Sequence, residues 1–110
     1  NIHMSSQVIR NAPIVITVVC HIDESPVSYA LDCANATLYL LLALHALGLG
    51  AVWIQALRNI DEIKHILDIP NNAMPVAIVA VGFPDESPAP RPRRPVEDIT
   101  FLNKYGARIS

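Results

Sequence analysis

Between Ala12 and Cys20 the chain runs APIVITVVC, an unbroken apolar and β-branched stretch. That pattern predicts a strand buried on both faces. A polar connection, His21 to Ser25, follows, and Ser25 is placed to cap a helix that has Pro26 at its first position. Proline is tolerated there because its missing N–H has no intrahelical partner anyway. Leu31, Ala34, Leu38, Leu41, Leu42 and His45 then fall on one helical stripe, while Leu40, Leu44 and Leu47 make the other side apolar as well. A helix apolar nearly all round is expected to be buried nearly all round. Gly48 supplies its left-handed terminator.

Ala51 to Gln55 (AVWIQ) predicts a second short strand. Asn59 is the expected cap of a second helix, with Glu62 three positions on completing an Asn variant of the capping box. Ile60, Ile63, Ile66 and Leu67 form the apolar face of that helix, and Asp61, Glu62, Lys64 and His65 face water. Ile69-Pro70 is expected to end it, since a residue before proline is pushed out of the α region. Asn71-Asn72 reads as a turn and Pro75 to Phe83 as a third buried strand. The alternation of strands and helices predicts a mixed α/β fold but leaves strand direction open. From Pro84 the pattern changes. Pro84, Pro88, Pro90, Pro92 and Pro95 are separated first by acids and then by arginines, which predicts an extended arm. Val96 to Tyr105 is expected to form a short terminal element. The organisation is thus Asn1 to Met4, read as an expression scar and set aside, a core over 5–83, and a proline- and arginine-rich arm over 84–110.

Composition sharpens this picture in two places. The 25 residues from Cys33 to Leu57 carry no Asp, Glu, Lys or Arg. A membrane span needs roughly 20 apolar residues, but Gly48-Leu49-Gly50 breaks the run, so a buried helix feeding a buried strand is the preferred reading. Secondly, 52% of the 110 residues are hydrophobic and only 16% are charged. One small domain has too much surface for that ratio, which predicts an apolar surface facing another chain in an oligomer. The formal net charge of -2 gives no general attraction to nucleic acid. With two cysteines and no recognisable targeting segment, a reduced, cytoplasmic setting is the default.

Candidate chemistry is sparse. His21, His45 and His65 sit on three different elements, with no Asp, Glu or Cys at metal-ligand spacing. Cys20 and Cys33 read as small buried hydrophobes. Two segments remain. Trp53-Ile54-Gln55-Ala56-Leu57 lies at the exit of a strand, where α/β proteins often bind ligands. Arg91-Pro92-Arg93-Arg94-Pro95 holds arginines on an extended arm, and the guanidinium fork suits a phosphate.

Four stretches in register resemble the C-terminal half of the nitroreductase family, the FMN-dependent NAD(P)H oxidoreductases. They are Asn11 to Cys20, Leu40 to Pro70, Pro75 to Ile99, and Asn103-Lys104-Tyr105-Gly106. The resemblance implies an α+β fold with a central antiparallel sheet and flanking helices, incomplete relative to the full family fold. It implies an intertwined homodimer with FMN at the interface, and a C-terminal arm that crosses to the partner. Trp53 and Ile54 would pack on the isoalloxazine, and the backbone at Gln55 and Ala56 would approach its N5 and O4 edge. Ala56 stands where many members carry glycine. Arg91 and Arg93 match the basic pair that holds the FMN phosphate, with Arg94 a third. The implied reaction passes a hydride from NAD(P)H through the flavin to a nitroaromatic, quinone or similar acceptor. Family members are longer, and their N-terminal half supplies further flavin contacts. The chain is therefore read as a fragment or a truncated product holding one wall of the site. The alternative is a non-catalytic dimerisation or binding module derived from the same fold.

Overall fold

The computed structural model describes residues 4–55 and 59–109. Its elements are α1 (Met4–Asn11), β1 (Ile14–His21), α2 (Tyr29–Ala46), β2 (Gly50–Gln55), α3 (Ile60–Ile66) and β3 (Ala73–Gly82), followed by a 3₁₀ turn at Val96–Asp98. The three strands make one sheet in the order β1-β3-β2, antiparallel throughout. The last strand in sequence is therefore the middle strand in space. This explains its composition: β3 is flanked on both edges and is the most buried element, with Ala77, Ile78, Val79, Ala80 and Val81 all buried.

Strand alternation sorts the side chains between the two faces of the sheet. Val79 lies opposite Ile16 in β1 and Trp53 in β2, and Val81 lies opposite Ile14 and Ala51. On this face Leu44 of α2 packs against Val79 and Val81, ringed by Ile16, Leu40, Leu41 and Leu49. Pro75 is fully buried within the central strand, a position where proline normally removes a ladder hydrogen bond. The register accounts for it. Val18 pairs with Ala77 but Val19 pairs with Pro75, so Val76 is the extra residue of a bulge and the ladder is already interrupted there.

Several expectations shift. α2 begins at Tyr29, later than Pro26, and Ser25 does not cap it. The Ser25 hydroxyl instead donates to Asp32 at 2.8 Å, while the Tyr29 N–H reaches the Ser25 carbonyl at 2.9 Å. Gly48 does terminate α2, at φ +81°. Its N–H bonds to His45 and that of Leu49 to Leu44, which is a Schellman motif. α3 closes in the same way, but through Asp68 (φ 54°) and Ile69 and not at Pro70. Asn59 occupies the N-cap of α3 without a side-chain capping bond, so the capping box is not formed. α1 was not expected from the sequence at all.

The largest departures concern burial. β1, expected to be buried on both faces, has only Cys20 buried, and Ile14, Val15 and Val19 are 36–58% exposed, because it lies at the edge of the described sheet. α2 departs in the same direction. Thr37 and Leu44 are buried, and the Thr37 hydroxyl is satisfied by the Cys33 carbonyl at 2.7 Å. Leu31, Leu38, Tyr39 and Leu42 are instead 51–72% exposed. A three-stranded sheet covers one side of a helix and no more, so the other side is left uncovered. The arm over 84–95 is exposed throughout. It helps raise the radius of gyration to 17.5 Å, against about 13 Å for a compact chain of this length. At the C-terminus Phe101 bridges Arg108 and its ring meets Tyr105 edge-on at 4.8 Å. No helix among the described residues is long and apolar enough to cross a membrane.

Two substitutions test this account in urea titrations. Val79→Ala, at the centre of the middle strand, is expected to lower stability by about 2–3 kcal/mol through lost burial and a residual cavity. Asp68→Gly is expected to raise it by up to about 1 kcal/mol, because glycine adopts the left-handed terminator without steric cost.

Candidate functional site

The sequence-predicted residues fall in two places. Trp53, Ile54 and Gln55 form the last half of β2, an edge strand whose Gln55 still pairs with Ala77 of β3. Ala56, together with Leu57 and Arg58, lies outside the described residues, and α3 begins just beyond. β2 is an edge strand among the described residues. Trp53 and Ile54 are both half-buried. As consecutive strand residues they project to opposite faces. Trp53 shares the α2 side with Val79, and Ile54 shares the other side with Ile78. A planar ring lying flat on the sheet would therefore meet one of these side chains, whereas a ring at the strand end would meet the backbone they have in common.

The indole Nε1 of Trp53 is buried and has no hydrogen-bond partner among the described residues. A buried donor of this kind is uncommon in a complete structure, and it fits a site finished by groups beyond these residues.

Arg91, Arg93 and Arg94 are exposed on the extended arm. The guanidinium of Arg93 donates to the Arg91 carbonyl at 3.2 Å. Among the described residues the recorded salt bridge is Arg108–Asp98, so none of the three arm arginines has a carboxylate partner. No hydrogen bond joins the arm to the end of β2 among the described residues.

Elsewhere, no group of three or more His, Cys, Asp or Glu among the described residues is arranged to hold a metal ion. A shallow, open depression of about 440 Å³ runs along α3 beside Asp61, Lys64, His65, Asp68, Ile69 and Asn71. It includes none of the predicted site residues. Cys20 and Cys33, read from sequence as separate apolar fillers, have their sulfurs in contact, with Cα atoms 6.3 Å apart. Only the packing of α2 on β1 creates that proximity. The one sequence signal for it was that the chain's two cysteines flank a single turn.

The sequence profile of the Nitroreductase family matches residues 3–83, which takes in α1, α2, α3 and the three described strands. The chain belongs to the nitroreductase family. Among relatives of this nitroreductase-family chain, a predicted NADH dehydrogenase/NAD(P)H nitroreductase of Methanothermobacter thermautotrophicus is 33% identical over 95 residues, covering 82% of this chain and 50% of the relative. An NADPH-dependent oxidoreductase of Staphylococcus haemolyticus is 40% identical over 81 residues, 71% of this chain and 32% of the relative. The solved structure of an FMN-dependent nitroreductase from Clostridium difficile superposes with a TM-score of 0.77 at 25% identity, covering 87% of this chain and 60% of that one. The chain therefore spans about half the length of the first of these relatives and a third of the second.

The unpartnered indole gives a direct test. Trp53→Phe removes no hydrogen bond within the described residues, so stability of the ligand-free protein, read from its denaturation midpoint, is expected to change by less than about 1 kcal/mol.

Proposed function

We propose that this chain is the C-terminal part of an FMN-dependent oxidoreductase that draws electrons from NAD(P)H and delivers them to a nitroaromatic, quinone or similar acceptor. One observation carries the reading: the family match is continuous across β2 and the helices and strands that fix its position. The NAD(P)H and FMN named for its relatives support the choice of donor and cofactor. Dependence on NAD(P)H sets the proposed enzyme in the cytoplasm.

The residues present fit such a cofactor. The end of β2 offers backbone N–H groups at an open sheet edge and a buried indole donor without an acceptor among the described residues. The arm offers arginines without carboxylate partners there. Trp53, Ile54, Gln55 and Ala56 would hold the isoalloxazine, and Arg91 and Arg93 the phosphate. FMN bound there would supply hydride acceptance and onward electron transfer. The strand-end backbone would orient the ring by donating to its acceptor edge, in the manner of preorganised donors aimed at developing charge. The prolines at 90, 92 and 95 would limit the freedom that Arg91 and Arg93 lose on gripping a phosphate.

An arm that makes no hydrogen bond to the β2 edge of its own fold suits a homodimer in which it crosses to a second copy. The exposed leucines and Tyr39 of α2 favour the same assembly. They equally suit a second reading, in which the chain is a dimerisation or binding module without catalytic activity.

An absorbance spectrum between about 300 and 550 nm, taken after FMN is added and the excess removed, separates the two readings. Retained flavin bands that bleach with NAD(P)H are expected for the oxidoreductase, and a folded dimer that retains no flavin would leave only the binding module. In the flavin-retaining protein, Arg91→Ala and Arg93→Ala are each expected to weaken FMN binding by about 1.5–3 kcal/mol, the worth of a charge-assisted hydrogen bond. Unchanged affinity in the double variant, measured by fluorescence titration, would remove the arm from the site.

A further inference from the structure

We propose that Cys20 and Cys33 form a reversible redox staple that ties the end of β1 to the first turns of α2. Cys20 is the penultimate residue of β1 and 5% exposed, and Cys33 is half-buried in the second turn of α2. Their sulfurs are in contact, and the 6.3 Å between their Cα atoms lies within the range a disulfide spans without backbone movement. The pair brackets the connection 22–28, whose Pro26 and Val27 are exposed to solvent. No other covalent link closes that connection, and it is otherwise held by hydrogen bonds: Ser25 to Asp32 locally, and the Ile22 N–H and the Asp23 carboxylate to Asn72 from the far side of the sequence.

Both redox forms have a place to sit. The Cys20 sulfur lies 3.0 Å from the Tyr29 carbonyl oxygen, so in the dithiol form its S–H donates to α2 and the same two elements stay joined by a weak hydrogen bond. In the disulfide form that bond is replaced by a covalent one. Exposure orders the chemistry. A low-molecular-weight disulfide reaches the more accessible Cys33 first and forms a mixed disulfide, expelling one small thiol. The Cys20 thiolate then attacks the Cys33 sulfur, forming the Cys20–Cys33 bond and releasing the second small thiol. The two cysteines lose two protons and two electrons in total, and the small disulfide gains both pairs. Joining residues 13 apart restricts the unfolded chain, so the oxidised form is the more stable one.

The full-length protein is incubated in reduced and in oxidised glutathione, then denatured, treated with a maleimide and weighed by mass spectrometry. The oxidised sample is expected to take up no maleimide and to be lighter than the untreated dithiol by two hydrogens, with a linked peptide containing Cys20 and Cys33 on digestion. Its melting temperature is expected to exceed that of the reduced sample by on the order of 10 °C, and dithiothreitol is expected to reverse the difference. Cys20→Ala and Cys33→Ala are each expected to abolish the redox dependence of melting. Full maleimide labelling after oxidised glutathione, glutathione retained on both cysteines, a crosslink to a second copy, or equal melting in the two forms would each overturn the staple. The mass measurement needs no variant, so the test stands even if a substituted chain fails to fold.

Discussion

The packing of Leu44 against Val79 and Val81 is the contact on which the rest of the chain depends. Among the described residues β3 is the strand with neighbours on both edges, so its backbone carries both strand pairings of the sheet. Leu44 fixes how α2 lies across that strand. The orientation of α2 in turn decides where Cys33 meets β1 and where the Schellman turn at Gly48 releases the chain into β2. From that turn β2 pairs with β3 along its whole length, which fixes the position of Trp53 opposite Val79. Loss of side-chain volume at Val79 is therefore felt well beyond its immediate neighbours, because close-packed interiors transmit such changes.

The same contact explains what the fold leaves unfinished. One helix resting on three strands buries one of its faces, and α2 was given apolar residues on more than one. The exposed leucines along it, the arm held off the core and the span of about half a relative's length are one observation seen from three sides. The chain has the core of a nitroreductase fold, with one side of α2 exposed among the described residues. The candidate segments share this exposure in part. Trp53 and Ile54 are half-buried on β2, and Arg91, Arg93 and Arg94 are exposed on the arm.

Much of the fold was legible because hydrophobic periodicity marks element type. The three strands, α2, α3 and the proline-rich segment after β3 appear where apolar runs, prolines and Gly48 put them, with ends shifted by up to about three residues. The misses have specific causes. α3 ends at Asp68 because an aspartate adopts the left-handed conformation there, a role that a reader assigns first to glycine or to the following proline. Ser25 was a plausible cap, but its hydroxyl found Asp32 instead. α1 is a short helix of eight residues with few apolar positions, too weak a periodic signal to announce itself. The two candidate segments stood out from their place at a strand exit and on a proline-rich arm, but only resemblance to a family suggested a cofactor for them, since neither Trp53 nor the arm arginines carry a spacing that identifies chemistry by itself.

What the sequence determined alone was local: which segments form strands and helices, where the left-handed glycine must end α2, and that prolines keep 84–95 out of helix and sheet. Each of these depends on interactions within a few residues, where side-chain pattern and backbone sterics suffice. Tertiary structure decided the rest. The placement of the last strand between the first two, the antiparallel direction of every pair, the opposite faces taken by Trp53 and Ile54, and the meeting of Cys20 with Cys33 all arise from contacts between distant segments. No local pattern encodes them, because an apolar strand is equally content on either edge of a sheet or at its centre until the helix that packs across it selects one arrangement.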